Sequence, residues 1–174
     1  SADLGEQLAR RPSATFLTKA VISHAHNDHL LGLADLLHAQ AEAKKQSLAP
    51  LTIYAPIDVV AGIRERFGYA FLNSTGQDMG QDMGPDTERK TERKSAVQAF
   101  PAEGLWLGGV QIQAFRVPHG DNGESYAFSL QSDNWRGVIM TDALGVDSEL
   151  AKRWLQNLDF LVLGTSFVDE DQSN

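Results

Sequence analysis

Three of the chain's five histidines fall within six residues, His24, His26 and His29, and Asp28 sits beside the last of them. Imidazole nitrogens and carboxylates are donors for zinc and related divalent cations. Without a metal, three rings crowded together would repel one another on protonation and leave polar nitrogens needing partners. Side chains alternate along an extended chain, so the i, i+2 pair His24 and His26 projects from one side of a strand end and can meet one cation. Asp28 and His29 come after the turn, at a helix N-terminus, from where they can face the same pocket and ligate a second cation. The positive end of the helix dipole gives Asp28 a further reason to stay ionised. The segment reads as half of a two-metal site. His38, alone inside the next helix, reads as a surface or satisfied histidine.

The elements that must position this cluster alternate between strand and helix. Residues 6–11 form a short helix after an Asp3-Leu4-Gly5 turn, stopped by Pro12 and Ser13. Residues 19–22 are a short apolar, β-branched strand, and residues 30–45 carry Leu30, Leu33, Leu36, Leu37 and Ala41 at helical spacing. A second unit repeats the pattern, with a strand at 51–54, a turn at Ala55-Pro56 and an amphipathic helix over 57–67. Residues 73–95 then hold two tandem duplications with five acidic and four basic side chains and almost no large apolar ones, which predicts a mobile, solvated insertion. Strands follow at 96–100, 110–117, 125–130 and 137–141, arranged as antiparallel hairpins, then a helix at 148–158 and a buried strand at 160–163. The fold class is mixed α/β.

Composition narrows the chemistry. The 174 residues fit one domain, or most of one, and a net charge of −8 disfavours a broad grip on nucleic acid or acidic membranes. With no cysteine, a thiolate zinc site and a cysteine nucleophile are both excluded, and any metal must use His, Asp or Glu. No membrane-span pattern or signal-peptide pattern is present, so the expectation is a soluble, cytoplasmic protein.

The stretch Ser-His-Ala-His-Asn-Asp-His resembles the His-x-His-x-Asp-His signature of the metallo-β-lactamase superfamily. The resemblance implies an αββα sandwich of mixed sheets, running from 1 to 174 as one partial domain that is incomplete at both termini and interrupted by the insertion. It also implies two divalent metal ions. Zinc is the first choice, and manganese or iron suit similar ligands. On this reading His24, His26 and His119 hold the first ion, Asp28 and His29 hold the second, and Asp142 bridges them. His119 follows the 110–117 strand and Asp142 ends the 137–141 strand. No histidine follows His119, so a last ligand expected of the family would lie beyond Asn174. An inactive fragment is a further alternative, in which uncovered strand edges would favour pairing with a partner, a homodimer included.

The implied reaction is hydrolysis by a metal-bridging hydroxide oriented by Asp28. The stretch from Asp28 to Leu37, with Asp3-Leu4-Gly5-Glu6 and Pro50 to Pro56, resembles the phosphodiesterase branch that includes ribonuclease Z and a cyclic-phosphate diesterase. Gly164 stands where ribonuclease Z carries a glutamate, and the insertion lacks the positive charge of a tRNA-gripping arm. A small phosphodiester is therefore preferred as substrate, ahead of RNA. The alternatives are a lactone, thioester or β-lactam hydrolase, and an inactive metal-binding interaction module. Arg116, Thr165 and Ser166 stand near strand ends, where each reads either as a substrate contact or as an ordinary strand or turn residue. Gly120, Asn122 and Gly123 read as turn formers, and Trp106, Trp135 and Trp154 as core or hairpin packing.

Overall fold

Between Asn27 and Lys44 there is no β-branched residue, while Leu, Ala, Gln, Glu and Lys dominate, so the segment favours helix. The computed structural model describes residues 3–11, 17–44, 49–71 and 95–164. The chain divides into two compact units, Ser1–Ala99 and Phe100–Asn174.

The first unit runs α1 (Leu4–Arg10), β1 (Lys19–Val21), α2 (Asn27–Lys44), β2 (Thr52–Ala55), α3 (Ile57–Phe71) and β3 (Ala96–Ala99). Its strands form a sheet in the order β1-β2-β3, parallel throughout, with Ala20 opposite Ile53 and Ile53 opposite Val97. Parallel neighbours cannot be joined by a tight turn, and α2 supplies the crossover from β1 to β2. The core contains Leu30, Leu33 and Leu36 of α2, Ile53 and Ala55 of β2, Val59, Val60, Ile63 and Phe71 of α3, and Val97 of β3. On α1, the Gly5 N–H donates to Asp35 Oδ2 of α2 at 3.1 Å.

The second unit comprises β4 (Leu105–Leu107), β5 (Val110–Pro118), β6 (Glu124–Gln131), β7 (Arg136–Met140), α4 (Ser148–Trp154) and β8 (Phe160–Leu163). Its sheet has the order β4-β5-β6-β7-β8, antiparallel up to β7 and parallel between β7 and β8. Phe115, Val117, Ala127, Val138 and Met140 make the core, with Leu150, Trp154 and Leu155 packed against it. The Trp154 indole stacks on Phe115 at 4.5 Å between ring centroids. Asp147 caps α4 by accepting the Leu150 N–H at 2.8 Å.

Several expectations change. The 96–100 strand is not part of a hairpin: β3 joins the first sheet, parallel to β2. Its sequence has the same composition as a hairpin strand, and only the long-range partner decides its direction. The helix over 57–67 extends to Phe71, because Ile63, Phe67 and Phe71 continue one apolar stripe at i, i+4, i+8. Asp3-Leu4-Gly5 is not all turn, since α1 begins at Leu4, and the last helix ends at Trp154 rather than 158. The strand at 160–163 is exposed, with Phe160, Leu161, Val162 and Leu163 between 39% and 50% accessible. It is the edge strand of its sheet, and an apolar run does not say whether a layer covers its faces. Phe160 is still partly packed, for its ring lies over Gly137, where a Cβ would sit 2.1 Å from the ring. Trp106 is 64% exposed and so is no core residue, although β4 pairs with β5 around it. The predicted insertion lies outside the described residues except for Ser95. Among the described residues no helix is long and apolar enough to cross a membrane.

Ile53→Ala, at a fully buried site on the central strand of its sheet, should cost about 2–5 kcal/mol of unfolding free energy by urea titration. Ile57→Ala, at a side chain 72% exposed, should change it by no more than about 0.5 kcal/mol.

Candidate metal centre

The histidine cluster forms where a parallel strand hands over to a helix. Beyond β1 the ladder continues for one more bond, from Ile22 N–H to the Tyr54 carbonyl at 2.9 Å. Residues 23–26 then run without regular structure. The His26 carbonyl accepts the N–H groups of His29 and Leu30, both at 3.1 Å, and so opens α2. His24 and His26 therefore stand on irregular backbone past the strand rather than alternating along it, and Asp28 and His29 lie in the first turn of the helix.

These positions bring the side chains together. The His24 ring centroid is 4.7 Å from that of His26 and 4.1 Å from that of His29. A ring nitrogen of His24 lies within 4.8 Å of one on His26, and likewise of one on His29. His24 is buried, at 4% exposure, and the Ser23 hydroxyl is 3.1 Å from its Nδ1. Second-sphere hydrogen bonds of this kind orient a ligating imidazole. Sequence reasoning passed over Ser23, because a serine before a histidine has no signature until the fold turns one towards the other.

Asp28 Oδ2 is 3.1 Å from His29 Nε2. Partial desolvation pushes the Asp28 carboxyl upward, but the charge of His29, the backbone N–H at the helix start, His24 and His26 together outweigh it and hold the group below the ordinary aspartate range. Asp28 is thus an anion at neutral pH. A buried, a half-buried and an exposed imidazole, those of His24, His29 and His26, beside an ionised carboxylate are a donor set that suits a divalent cation, and the residues of this unit fit one.

The second unit prepares His119 and Asp142 separately. β5 and β7 both flank β6 and run parallel to each other, so their C-terminal ends lie at the same end of the sheet. His119 is the first residue past β5. It is held there by its N–H donating to the Gly123 carbonyl at 2.8 Å, across a 3-10 turn over Gly120–Asn122. Gly120 and Gly123 have φ of 58° and 86°, which confirms the turn role expected for them. Asp142 follows β7 with φ 52°, a left-handed backbone that aspartate tolerates better than most residues. The fully buried Ser125 of β6 donates its hydroxyl to the Asp142 carbonyl at 3.2 Å, and the Leu144 N–H donates to the Pro118 carbonyl at 2.8 Å. The loops carrying His119 and Asp142 are therefore bonded to one another.

The remaining candidates are placed more plainly. Arg116 points away from the core, forms an ion pair with Glu124 and lies 5.4 Å over the Tyr126 ring. His38 is exposed on α2. Trp135 packs against Phe160 at 5.5 Å between centroids, as hairpin packing predicts. Gly164 bonds its N–H to the Met140 carbonyl at 2.9 Å, and a Cβ there would meet Thr141 at 3.2 Å. Thr165 and Ser166 lie outside the described residues.

The sequence matches the Beta-lactamase superfamily domain over residues 2–174. The chain belongs to the metallo-β-lactamase superfamily. Solved structures of superfamily members share its mixed α/β fold. The metallo-beta-lactamase fold protein YhfI from Bacillus subtilis is 20% identical, with a TM-score of 0.59 over 92% of this chain and 54% of that one. A diphosphatase from the PhnP family is 22% identical, with a TM-score of 0.63 over 91% of this chain and 51% of that one. Human tRNase Z, short form (ELAC1), is 21% identical, with a TM-score of 0.58 over 90% and 61% of the two chains. This chain thus spans between 51% and 61% of the length of these three structures. None of the curated proteins compared with the chain matches it.

The charge arrangement around Asp28 is measurable by carboxyl carbon NMR. Asp28 should titrate below the ordinary aspartate value of about 3.9. His29→Gln should move its midpoint upward, since His29 is the largest of the influences lowering it. An unmoved midpoint would mean that His29 does not stabilise the carboxylate.

Proposed function

We propose that this protein is a metal-dependent hydrolase of small phosphodiesters. The observation that carries the reading is the convergence of His24, His26 and His29 beside an ionised Asp28, on the motif of a superfamily to which the chain belongs. His24, His26 and His119 are assigned to one cation and Asp28 and His29 to a second, with Asp142 shared between them. Zinc suits these ligands, as do manganese and iron. Divalent ions held there would lower the pKa of water and polarise the oxygen of the bond under attack.

The chain's own residues have separate tasks in this reading. Ser23 keeps the His24 ring in one orientation, so that Nε2 is the nitrogen assigned to the ion. Asp28, held ionised by its neighbours, accepts a hydrogen bond from the attacking water and orients it towards the substrate. Ser125 holds the backbone that carries Asp142, and the Gly120–Asn122 turn presents His119.

Two considerations support a phosphodiester. The Asp28 to Leu37 stretch resembles the phosphodiesterase branch, and two of the similar structures are named as a diphosphatase and a tRNase. A net charge of −8 repels a long polyanion, which favours a small substrate over RNA.

The test combines metal stoichiometry with substrate choice. In the full-length protein, zinc or manganese should saturate near two equivalents by equilibrium dialysis, and the loaded protein should turn over bis-p-nitrophenyl phosphate. His24→Ala and His119→Ala should each lower that turnover by at least about a hundredfold, more than loss of an outer-sphere partner. Turnover of a chromogenic lactone or β-lactam alone would replace the phosphodiester with a carboxyl-type substrate. One equivalent of metal and no turnover would point to a binding module instead.

A further inference from the structure

Residues 23–26 have no helix or strand of their own, so their shape has to be imposed by what surrounds them. Their ends are held by the Ile22 bond to Tyr54 and by the His26 carbonyl at the start of α2. Between these anchors the Ala25 carbonyl is gripped from α3. Arg66 Nη1 donates to the Ala25 carbonyl at 2.7 Å and to Asn27 Oδ1 at 3.1 Å. One guanidinium thus ties the peptide between His24 and His26 to the first residue of α2. The same face of α3 also approaches the turn closely. A Cβ on Gly62, one helical turn before Arg66, would lie 3.2 Å from the Ala25 Cβ.

We propose that Arg66 is a positioning residue for the metal ligands, clamping the Ala25 carbonyl so that His24 and His26 keep the spacing a shared cation needs. The inference rests on the reading that these imidazoles hold a metal. Arg66 is always protonated and has no lone pair to offer, so it is not itself a ligand. Its positive charge taken alone works against binding of a cation nearby. The two effects therefore have opposite signs. Loss of the clamp weakens metal binding, whereas loss of the charge alone strengthens it.

Cobalt(II) titration of the 174-residue chain, read by its visible ligand-field bands and by zinc competition, separates the two. Arg66→Ala should bind cobalt about 10- to 100-fold more weakly than wild type, the effect expected of an outer-sphere partner. Arg66→Lys should fall between, since one ammonium does not reproduce the fixed fork of a guanidinium. Arg10→Ala removes a charge from an exposed pair with Glu6 and should bind like wild type. Gly62→Ala keeps Arg66 and its charge but presses on Ala25, and should weaken binding by a smaller factor. Far-UV circular dichroism and the melting temperature of the metal-free variants report whether the fold is kept. If Arg66→Ala does not fold, Arg66→Lys and Gly62→Ala decide the matter by the same affinities. Affinity in Arg66→Ala equal to or tighter than wild type overturns the clamp and leaves the metal reading standing. A wild-type chain that binds neither cobalt nor zinc overturns the metal reading and the clamp with it.

Discussion

Holding three imidazoles against one another is unfavourable unless something makes their nearness useful, because each ring brings a polar nitrogen that needs a partner and a proton that would repel its neighbours. The local backbone of the first unit answers to this constraint. A strand stops at Val21, five residues run free of regular structure, and a helix opens at the His26 carbonyl, so that side chains two and five residues apart face one point. A continuous strand would have kept His24 and His26 about 7 Å apart along one face of a sheet, and a continuous helix would have turned them to different faces. The irregular segment is what lets the three imidazoles meet, and the neighbouring regular elements supply the hydrogen bonds that keep it in place.

The sheet of the second unit solves a simpler problem. Its two candidate ligands come from strands that run in the same direction on either side of β6, so the end of one sheet carries both. Burial of Phe115, Val117, Val138 and Met140 fixes which way each strand faces, and a slip by one residue would turn every one of them outward. Register in the core is therefore also register at the site. The left-handed backbone at Asp142 is tolerable for the same reason, since Ser125 and the Leu144 bond to Pro118 hold it from both sides.

How much of this was legible depended on the range of the interaction. The histidine cluster, the strand-loop-helix around it and the apolar stripe of Leu30, Leu33 and Leu36 are local patterns, and they stand in the structure within a few residues of where spacing puts them. His119 and Asp142 were legible as residues just past alternating strands. The parallel direction of β3, the exposure of Phe160 to Leu163 and the short strand β4 were not, because each depends on a partner or a covering layer distant in sequence. The same holds for the contacts that orient the ligands. Ser23 is adjacent to His24 and still gave no signal, and Arg66 is 41 residues from the carbonyl it grips.

That last separation sets an order of events during biosynthesis. The Ala25 carbonyl between the two leading histidines accepts from Arg66, and the Ile22 N–H just before them donates to Tyr54, both partners lying downstream. A nascent chain emerging from the ribosome exposes these histidines well before the residues that shape their loop have been translated. The loop between them can therefore take its final shape only once the second crossover helix has been made and docked, and until then the early chain carries these imidazoles loose.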